Sequence, residues 1–367
     1  MRFVAAWLAG MALAVLASCG GPDTTAAPNG NAGGGVDAVL DRLESPPWPD
    51  PFDMLALPAD RSYLVLAQVP PPVAFDLSST AAAQAALHLL ATEPWRILRA
   101  GSALGHVIVG WSCADGHRGL AAKIGGGDGA LIEMLRTGWG LSAAFSTYTD
   151  GQLIGPDEFD PGHLAILREG RGHLVATEVT AADCAALRAD LAAYLGHPNA
   201  PASRYGLLGP VAAMEGDGCI GFALYLAGEG GMLPGLAGAF DRRVPLNSAF
   251  MGTGTAVPPL VEPFRPVADD GTCPGPVALP DLLSGPWDAG TDLGQITVPD
   301  AELLFAGLAA LRPSGGLPSG WHNRRSLPAT DPDVARAQAA VLLWAQGWPV
   351  WRQMRRGPLW AMVLEQW

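Results

Sequence analysis

Positive charge, and charged residues in general, are scarce in this sequence. Charged side chains make up 16 % of the 367 residues, and 22 Lys and Arg stand against 35 Asp and Glu, which gives a formal net charge of −13. Nucleic-acid binding needs a basic surface that neutralises phosphates, so this composition argues against a nucleic-acid partner. Hydrophobic residues reach 49 %, which is enough for a sizeable core in one large domain or two modest ones.

Cysteine motifs for metal binding are also missing. None of the five cysteines forms a CxxC pair or a Cys/His cluster with zinc spacing, so we expect no metal and no cofactor. If Cys19 is modified, as argued below, Cys113, Cys184, Cys219 and Cys273 remain, and four cysteines allow three disulfide pairings. A nucleophilic Cys219 would leave a second cysteine unpaired, and Cys184, on the buried face of an expected helix, is a candidate.

The amino terminus has no apolar run long enough for a confident transmembrane span. Residues 1–3 are followed by an apolar stretch at 4–16, which has the length of a signal peptide. The stretch ends in Leu-Ala-Ser-Cys-Gly at 16–20, which resembles the bacterial lipobox. The resemblance implies a lipoprotein signal peptide at 1–19, acylation of Cys19 with palmitate-type chains, and a membrane anchor.

The segment after the lipobox predicts an exported and tethered protein. Residue Gly20 is not an aspartate, which in lipoproteins of this type favours the outer membrane, so we expect a lipid-anchored protein that faces the periplasm. Residues 20–50 are rich in Gly, Ala, Pro and Asn, and this composition predicts a flexible linker.

The body of the chain mixes expected strands and helices. Strands are predicted where apolar and β-branched residues alternate, at 62–69, 105–113, 119–124, 142–149, 164–167 and 174–179. Helices are predicted from apolar spacing and capping residues, at 79–90, 130–136, 181–196, 219–227, 300–311, 331–348 and from there to about 365. Residues 252–296 are rich in Pro, Gly and Asp and predict irregular structure.

Cys219 stands where a glycine turn is expected to enter a short apolar helix. The stretch 214–226 places Gly216 and Gly218 before the cysteine and apolar residues after it. The free N–H groups and the dipole at a helix N-terminus stabilise a thiolate, which favours a nucleophilic role. The alternative is a small buried side chain, as most cysteines outside disulfides are.

His106 opens the strand expected at 105–113 and is the candidate base for Cys219. The alternative is a histidine at a strand end with a satisfied hydrogen bond. His163 and His173 flank the expected hairpin and are predicted to be surface groups.

The order of these motifs resembles the circularly permuted branch of the papain-like fold, which includes NlpC-like hydrolases and acyltransferases. A Gly-His strand start comes first, then strands, a capped helix, Arg-Tyr-x-Leu-Leu-Gly at 204–209 and the helix-borne Cys219. The resemblance covers about residues 95–250. It implies an α+β fold in which an antiparallel sheet supports the nucleophile helix, with Cys219 as nucleophile and His106, 113 residues upstream, as base.

The sequence departs from this branch at the residue that orients the base. The branch places a polar group on the next strand, whereas residues 119–126 offer only Lys123, and a lysine does not orient an imidazolium. Glu133 and Glu178 are alternatives, and neither is assigned, whereas His117 lies in the turn and is expected to be too far away.

These inferences divide the chain into a signal peptide at 1–19, a linker at 20–50, a permuted papain-like domain at 51–250 and an irregular, helical, Trp-rich extension at 251–367. Seven of the twelve tryptophans follow residue 280, which we interpret as core packing, with an aromatic substrate platform as the alternative.

We expect a lipid-anchored envelope cysteine hydrolase or acyltransferase that acts on amide or ester bonds of cell-wall peptides or N-acyl substrates through a thioester. The alternative is a non-catalytic envelope lipoprotein that uses a degenerate papain-like scaffold to bind a partner or glycan.

Overall fold

The computed structural model describes residues 35–44, 47–71, 74–92, 105–126, 129–209, 211–236, 238–312, 327–328, 330–356 and 358–366. The predicted signal peptide with Cys19, and residues 20–34 of the linker predicted at 20–50, lie outside the described residues. The linker prediction is wrong for Val36–Leu43, which form a helix with Val39 and Leu43 buried. Within these ranges the chain is a mixed α+β protein with eleven α-helices and a seven-stranded mixed sheet.

The strands, numbered in chain order, are β1 (Ser62–Val69), β2 (His106–Ser112), β3 (Arg118–Ile124), β4 (Thr147–Tyr148), β5 (Gln152–Ile154), β6 (His173–Val179), β7 (Asp241–Asn247), β8 (Val261–Glu262), β9 (Asp292–Pro299), β10 (Val350–Arg356) and β11 (Leu359–Glu365). The large sheet has the order β10-β11-β6-β1-β2-β3-β5, and its neighbours are antiparallel except β11 with β6. Strands β1, β2 and β3 confirm the predictions at 62–69, 105–113 and 119–124, since their dense apolar residues are buried on both faces.

The helices are α1 (Val36–Leu43), α2 (Asp50–Asp53), α3 (Thr80–Thr92), α4 (Gly129–Arg136), α5 (Ser142–Phe145), α6 (Pro161–Arg168), α7 (Ala181–Gly196), α8 (Cys219–Glu229), α9 (Leu279–Ser284), α10 (Ala301–Ala309) and α11 (Pro332–Gln346). Capping residues set two of the starts as the sequence predicts. Thr180 and Asp183 form a capping box at α7, and Asp331 caps α11, whose first residue is Pro332.

The two faces of the large sheet carry different helix layers. One face, the helix-rich face, packs against α1, α7, α8, α10 and α11 through residues that include Leu64, Val107, Ala121 and Val175. The other, the second face, packs against α2 and α6 through residues that include Val65, Ile108, Ala122 and Ala176. Side chains alternate along a strand, so neighbouring residues of β2 and β3 enter different cores.

A third apolar cluster lies beside the sheet. It combines residues of α3, α4, α5 and α9 with residues of β7 and β9, and Trp139 and Trp287 are buried in it. The strands outside the large sheet pair here as β4 with β8 and β7 with β9.

Three predicted elements are wrong in type. Residues 142–149 form helix α5 and the two-residue strand β4 instead of one strand. Residues 164–167 belong to α6, because Asp160 caps a helix whose first residue is Pro161. The predicted last helix is the hairpin β10–β11, which joins the large sheet beside β6.

A buried ion cluster fixes the part of the chain after residue 240. The Arg242 side chain is fully buried and lies 2.5 Å from Asp300, 2.9 Å from Asp331 and 3.4 Å from Asp333. Asp300 and Asp331 also cap α10 and α11. One guanidinium therefore fastens two helix starts to β7, and removal of one partner of such a cluster typically costs about 3–5 kcal/mol.

Candidate active site

Helix α8 begins at Cys219 after a turn that requires glycine. Gly216 has a φ of +89°, a conformation that favours glycine, and Gly218 is the extended residue that precedes the helix. Cys219 is the first helical residue and is 7 % exposed. The sequence prediction of a cysteine at the start of a short apolar helix is therefore confirmed, and the thiol lies at the positive end of the helix dipole.

Lys123 projects from β3 into the core on the helix-rich face. Leu120, Ala122 and Ile124 pack on the second face, so the alternation of the strand sends Lys123 to the opposite side. Its side chain is fully buried, and its Nζ donates hydrogen bonds to the Tyr194 hydroxyl at 2.5 Å and to the carbonyl of Pro201 at 2.8 Å.

Lys123, Asp217 and Cys219 influence each other electrostatically. Burial lowers the pKa of Lys123 from 10.5 to about 7, Asp217 and Cys219 act to raise it, and the Arg204 guanidinium lowers it further. Burial raises the pKa of Asp217 from 3.8 to about 7, although the Gly218 N–H and Lys123 favour its ionised form. The amine and the carboxyl therefore both change protonation near neutral pH, where groups suited to proton transfer operate.

The carboxyl group of Asp217 lies over the first turn of α8. Its Oδ1 accepts a hydrogen bond from the Gly218 N–H at 2.5 Å. A Cβ placed on Gly221 would overlap Oδ2, so a residue without a side chain is needed there. The carboxyl group thus lies where a negative charge is favoured by the helix N-terminus.

His106 lies on the second face, away from α8. Its ring stacks on the ring of His163 from α6, with ring centroids 5.2 Å apart and an interplanar angle of 18°. Both histidines are buried, and the Nε2 atoms of both have no hydrogen-bond partner among the described residues. Burial, together with the charge of His163, lowers the pKa of His106 to about 3, so its imidazole is neutral at physiological pH.

The structure therefore does not bring together the predicted pair Cys219 and His106. Both residues lie near one end of the β1–β3 region, but on opposite faces of the sheet. The side chain of His106 is on the second face, as is that of Ile108, whereas Val107 is on the helix-rich face against which α8 packs. The prediction that His163 and His173 are surface groups is also wrong, since they are 9 % and 0 % exposed.

The alternative orienting residues lie in other surroundings. Glu133 is half-exposed beside Arg136, Glu178 bonds Arg61 on the surface, and His117 contacts Glu44 at the turn between β2 and β3. Lys123 is the residue that the sequence reasoning set aside. Its signal is in the sequence, because it is the only lysine of the chain and lies within a strand of otherwise small and apolar residues.

The disulfide joins Cys113, just after β2, to Cys184 on α7, with 5.9 Å between the Cα atoms. Cys184, the candidate for a second unpaired cysteine, is therefore paired, and among the pairings left open the structure forms Cys113–Cys184. Cys219, which is buried, and Cys273, which is exposed, lie outside this disulfide.

Within the described ranges, no three His, Cys, Asp or Glu side chains are grouped so that they could hold a metal ion. No helix in the described part of the chain is long and apolar enough to cross a membrane. The chain matches no protein-family model, no curated protein and no solved structure.

Proposed function

We propose that the protein is a cysteine hydrolase or acyltransferase in which Cys219 is the nucleophile and Lys123 the base. The observation that carries this proposal is the full burial of the only lysine of the chain within electrostatic reach of a cysteine that begins a helix. A desolvated lysine is neutral for part of the time near pH 7 and can accept a proton, as a histidine does in papain-like enzymes.

In the proposed reaction, the proton of the Cys219 thiol moves to the lone pair of the Lys123 amine. One S–H bond breaks and one N–H bond forms, which gives a thiolate and an ammonium group. The thiolate attacks the acyl carbon of an ester or amide, and the leaving group takes the proton from Lys123 as the thioester forms. Water or another acceptor then cleaves the thioester and regenerates the thiol.

The permuted papain-like fold and the envelope location are part of this proposal. A cysteine at the start of α8, packed over the antiparallel strands β1, β2 and β3, supports the fold. The signal-like stretch and Cys19 support a lipid anchor at the outer membrane, with the body in the periplasm. The disulfide Cys113–Cys184 supports an oxidising compartment, where such bonds persist. Cell-wall peptides and N-acyl compounds are the proposed substrates.

A non-catalytic envelope lipoprotein that binds a partner or a glycan is the second candidate. The observation in its favour is burial: Lys123 is fully buried, and Asp217 and Cys219 are 6 % and 7 % exposed. Such burial limits the access of a substrate to the thiol, whereas a purely structural cluster needs no access.

The deciding experiment is acyl trapping with a p-nitrophenyl ester on the full-length protein. We expect one acyl adduct by intact mass, located at the Cys219 peptide, removed by hydroxylamine and missing in Cys219→Ala. Cys273→Ser is the matched control, because Cys273 is exposed and has no role in the proposed chemistry, and this variant should acylate normally. An adduct that persists in Cys219→Ala, or no adduct at any pH between 6 and 9, would favour the non-catalytic candidate.

A further inference from the structure

Three polar groups form a closed hydrogen-bonded ring beneath α8. Lys123 Nζ donates to the Tyr194 hydroxyl at 2.5 Å and to the Pro201 carbonyl at 2.8 Å, and the Tyr194 hydroxyl donates to the same carbonyl at 3.0 Å. Tyr194 is fully buried on α7, and Pro201 begins the 3₁₀ turn that follows α7. The three groups belong to β3, α7 and the turn, so the ring joins separate elements.

The donor and acceptor roles in this ring are fixed by chemistry. A phenol has one hydrogen, and that of Tyr194 is directed to Pro201, so the Tyr194 oxygen accepts from Lys123. Burial raises the pKa of Tyr194, which keeps this hydrogen in place. The Pro201 carbonyl has two lone pairs and accepts both donors.

A neutral amine has two hydrogens and one lone pair. In Lys123 both hydrogens are held by Tyr194 and Pro201. The fourth position around Nζ therefore carries the lone pair when the amine is neutral and the third hydrogen when it is charged. The charged groups that act on it are Asp217, Cys219 and Arg204, from the α8 turn and the loop after α7.

We infer that Tyr194 is a positioning residue that, together with the Pro201 carbonyl, holds the two N–H groups of the neutral Lys123 amine and leaves its lone pair for the thiol of Cys219. This inference rests on the proposed function. The hydroxyl neither donates to the substrate nor accepts the thiol proton. It acts through Lys123, because without it the amine rotates and the lone pair is directed at the thiol for only part of the time.

The test uses the fact that the chain has a single lysine. Growth with lysine labelled with ¹³C at Cε gives one lysine side-chain NMR signal in the full-length protein, and its pH titration reports Lys123 directly. We expect a midpoint near pH 7 in the wild type. In Tyr194→Phe both forms of the amine lose an acceptor, and because the hydrogen bond from the ammonium form is the stronger one, we expect the midpoint to fall by about one pH unit. At pH 8.5, where the amine is neutral in both proteins, acylation of Cys219 should slow about tenfold.

Phe222→Leu is the matched control, because the Phe222 ring packs on the Tyr194 ring with centroids 5.4 Å apart and bears no polar atom. We expect it to lower thermal stability while the Lys123 midpoint stays within about 0.2 pH units, since no hydrogen bond changes. A Lys123 midpoint that is unchanged in Tyr194→Phe, or shifted equally in Phe222→Leu, overturns the role of Tyr194. If the Lys123 midpoint shifts in Tyr194→Phe but the Lys123→Met variant acylates at the normal rate, Lys123 is not the base. That result would leave the hydrogen-bonded ring intact.

Discussion

The two faces of the large sheet hold two buried polar clusters that differ in what they can do with a proton. On the helix-rich face, the Lys123 amine has two hydrogen-bond acceptors and is influenced electrostatically by the Asp217 carboxyl and the Cys219 thiol. On the second face, His106 stacks on His163, and neither Nε2 has a hydrogen-bond partner among the described residues. The first cluster suits proton exchange near pH 7, whereas the second suits two imidazoles that stay neutral.

The two clusters lie on different faces because a step of one residue along a strand moves a side chain to the opposite face of the sheet. Ile108 pairs with Ala122, so His106 and Lys123 lie near the same end of neighbouring strands. Because consecutive side chains alternate, they nevertheless enter opposite cores. A histidine at a strand start is therefore a weak indicator of a base until the facing of the strand is known.

The largest expected effect comes from breaking the covalent link on the helix-rich face. The Cys113–Cys184 disulfide closes a segment of 71 residues and ties α7, which carries Tyr194, to the end of β2. We expect the Cys113→Ser/Cys184→Ser double variant to lose on the order of 4 kcal/mol of unfolding free energy. Urea unfolding measures this. Reductant should then have no further effect on the double variant, and a loss below about 1 kcal/mol would contradict the structural role.

The next effect tests whether the two clusters differ in function. Replacement of Lys123 by Met removes the proposed base and keeps an apolar chain of similar length. We expect acylation of Cys219 at pH 7.5 to slow about 30-fold, equivalent to about 2 kcal/mol of transition-state stabilisation. In the wild type the rate should rise with pH through about 7 as Lys123 loses its proton.

His106→Gln is the control on the second face, and it should leave the acylation rate within about twofold, since a residue that makes no contact with the reacting groups contributes little to the barrier. A slower rate in His106→Gln with normal acylation in Lys123→Met would reverse the comparison and restore the histidine as base.

A smaller effect is expected from acid on the second face. His106 has a folded-state pKa of about 3 against about 6.5 when unfolded, so below pH 6.5 the unfolded chain binds a proton that the folded chain does not. The contribution of His106 to the free energy of unfolding is therefore fully present above pH 6.5 and is lost as the pH falls toward 3. Between pH 6.5 and pH 5, the titration of His106 should lower the free energy of unfolding by about 1.5 kcal/mol.

Urea unfolding at these two pH values measures the acid effect. His106→Leu should show a smaller loss, because leucine has no proton to bind. The matched control is His88→Leu on the exposed side of α3, which should keep the wild-type dependence. An equal loss in wild type and His106→Leu would contradict the account of a neutral, buried imidazole.

The sequence predicted the elements around the site better than it predicted the site itself. Dense apolar runs predicted β1 to β3, and Thr180 predicted the start of α7. These predictions hold because each depends only on residues that are neighbours in the sequence. The short apolar run at 164–167 fits a strand or a helix equally well, and only Asp160 and Pro161 before it distinguish them.

The missed hairpin and the missed base have long-range causes. Strand β11 is buried on both faces between β10 and β6, so its apolar run has no period that separates strand from helix. The role of Lys123 depends on Tyr194 and Pro201, which lie more than 70 residues away in the chain and meet it only after folding. Residue spacing alone contains no such information.

The smallest expected effect sharpens the electrostatics of the helix-rich face. Arg204 lowers the pKa of Lys123 from a distance, and Glu262 balances its charge through two hydrogen bonds of 2.5 Å. Glu262→Gln leaves the guanidinium charge uncompensated, while the bond of Arg204 Nε to the Glu215 carbonyl keeps it in place. We expect the Lys123 NMR midpoint to fall by a few tenths of a pH unit at low salt, and this shift to vanish at high ionic strength, because the pair is partly exposed and screened.

Glu158→Gln is the control for this last variant. It removes a similar exposed partner, that of Arg42, which is not among the charges that act on Lys123. The Lys123 NMR midpoint in Glu158→Gln should match that of the wild type at every salt concentration. A rise of the midpoint in Glu262→Gln would mean that Arg204 moves away from Lys123 once its partner is lost, and that Glu262 sets the position of this charge as well as its balance.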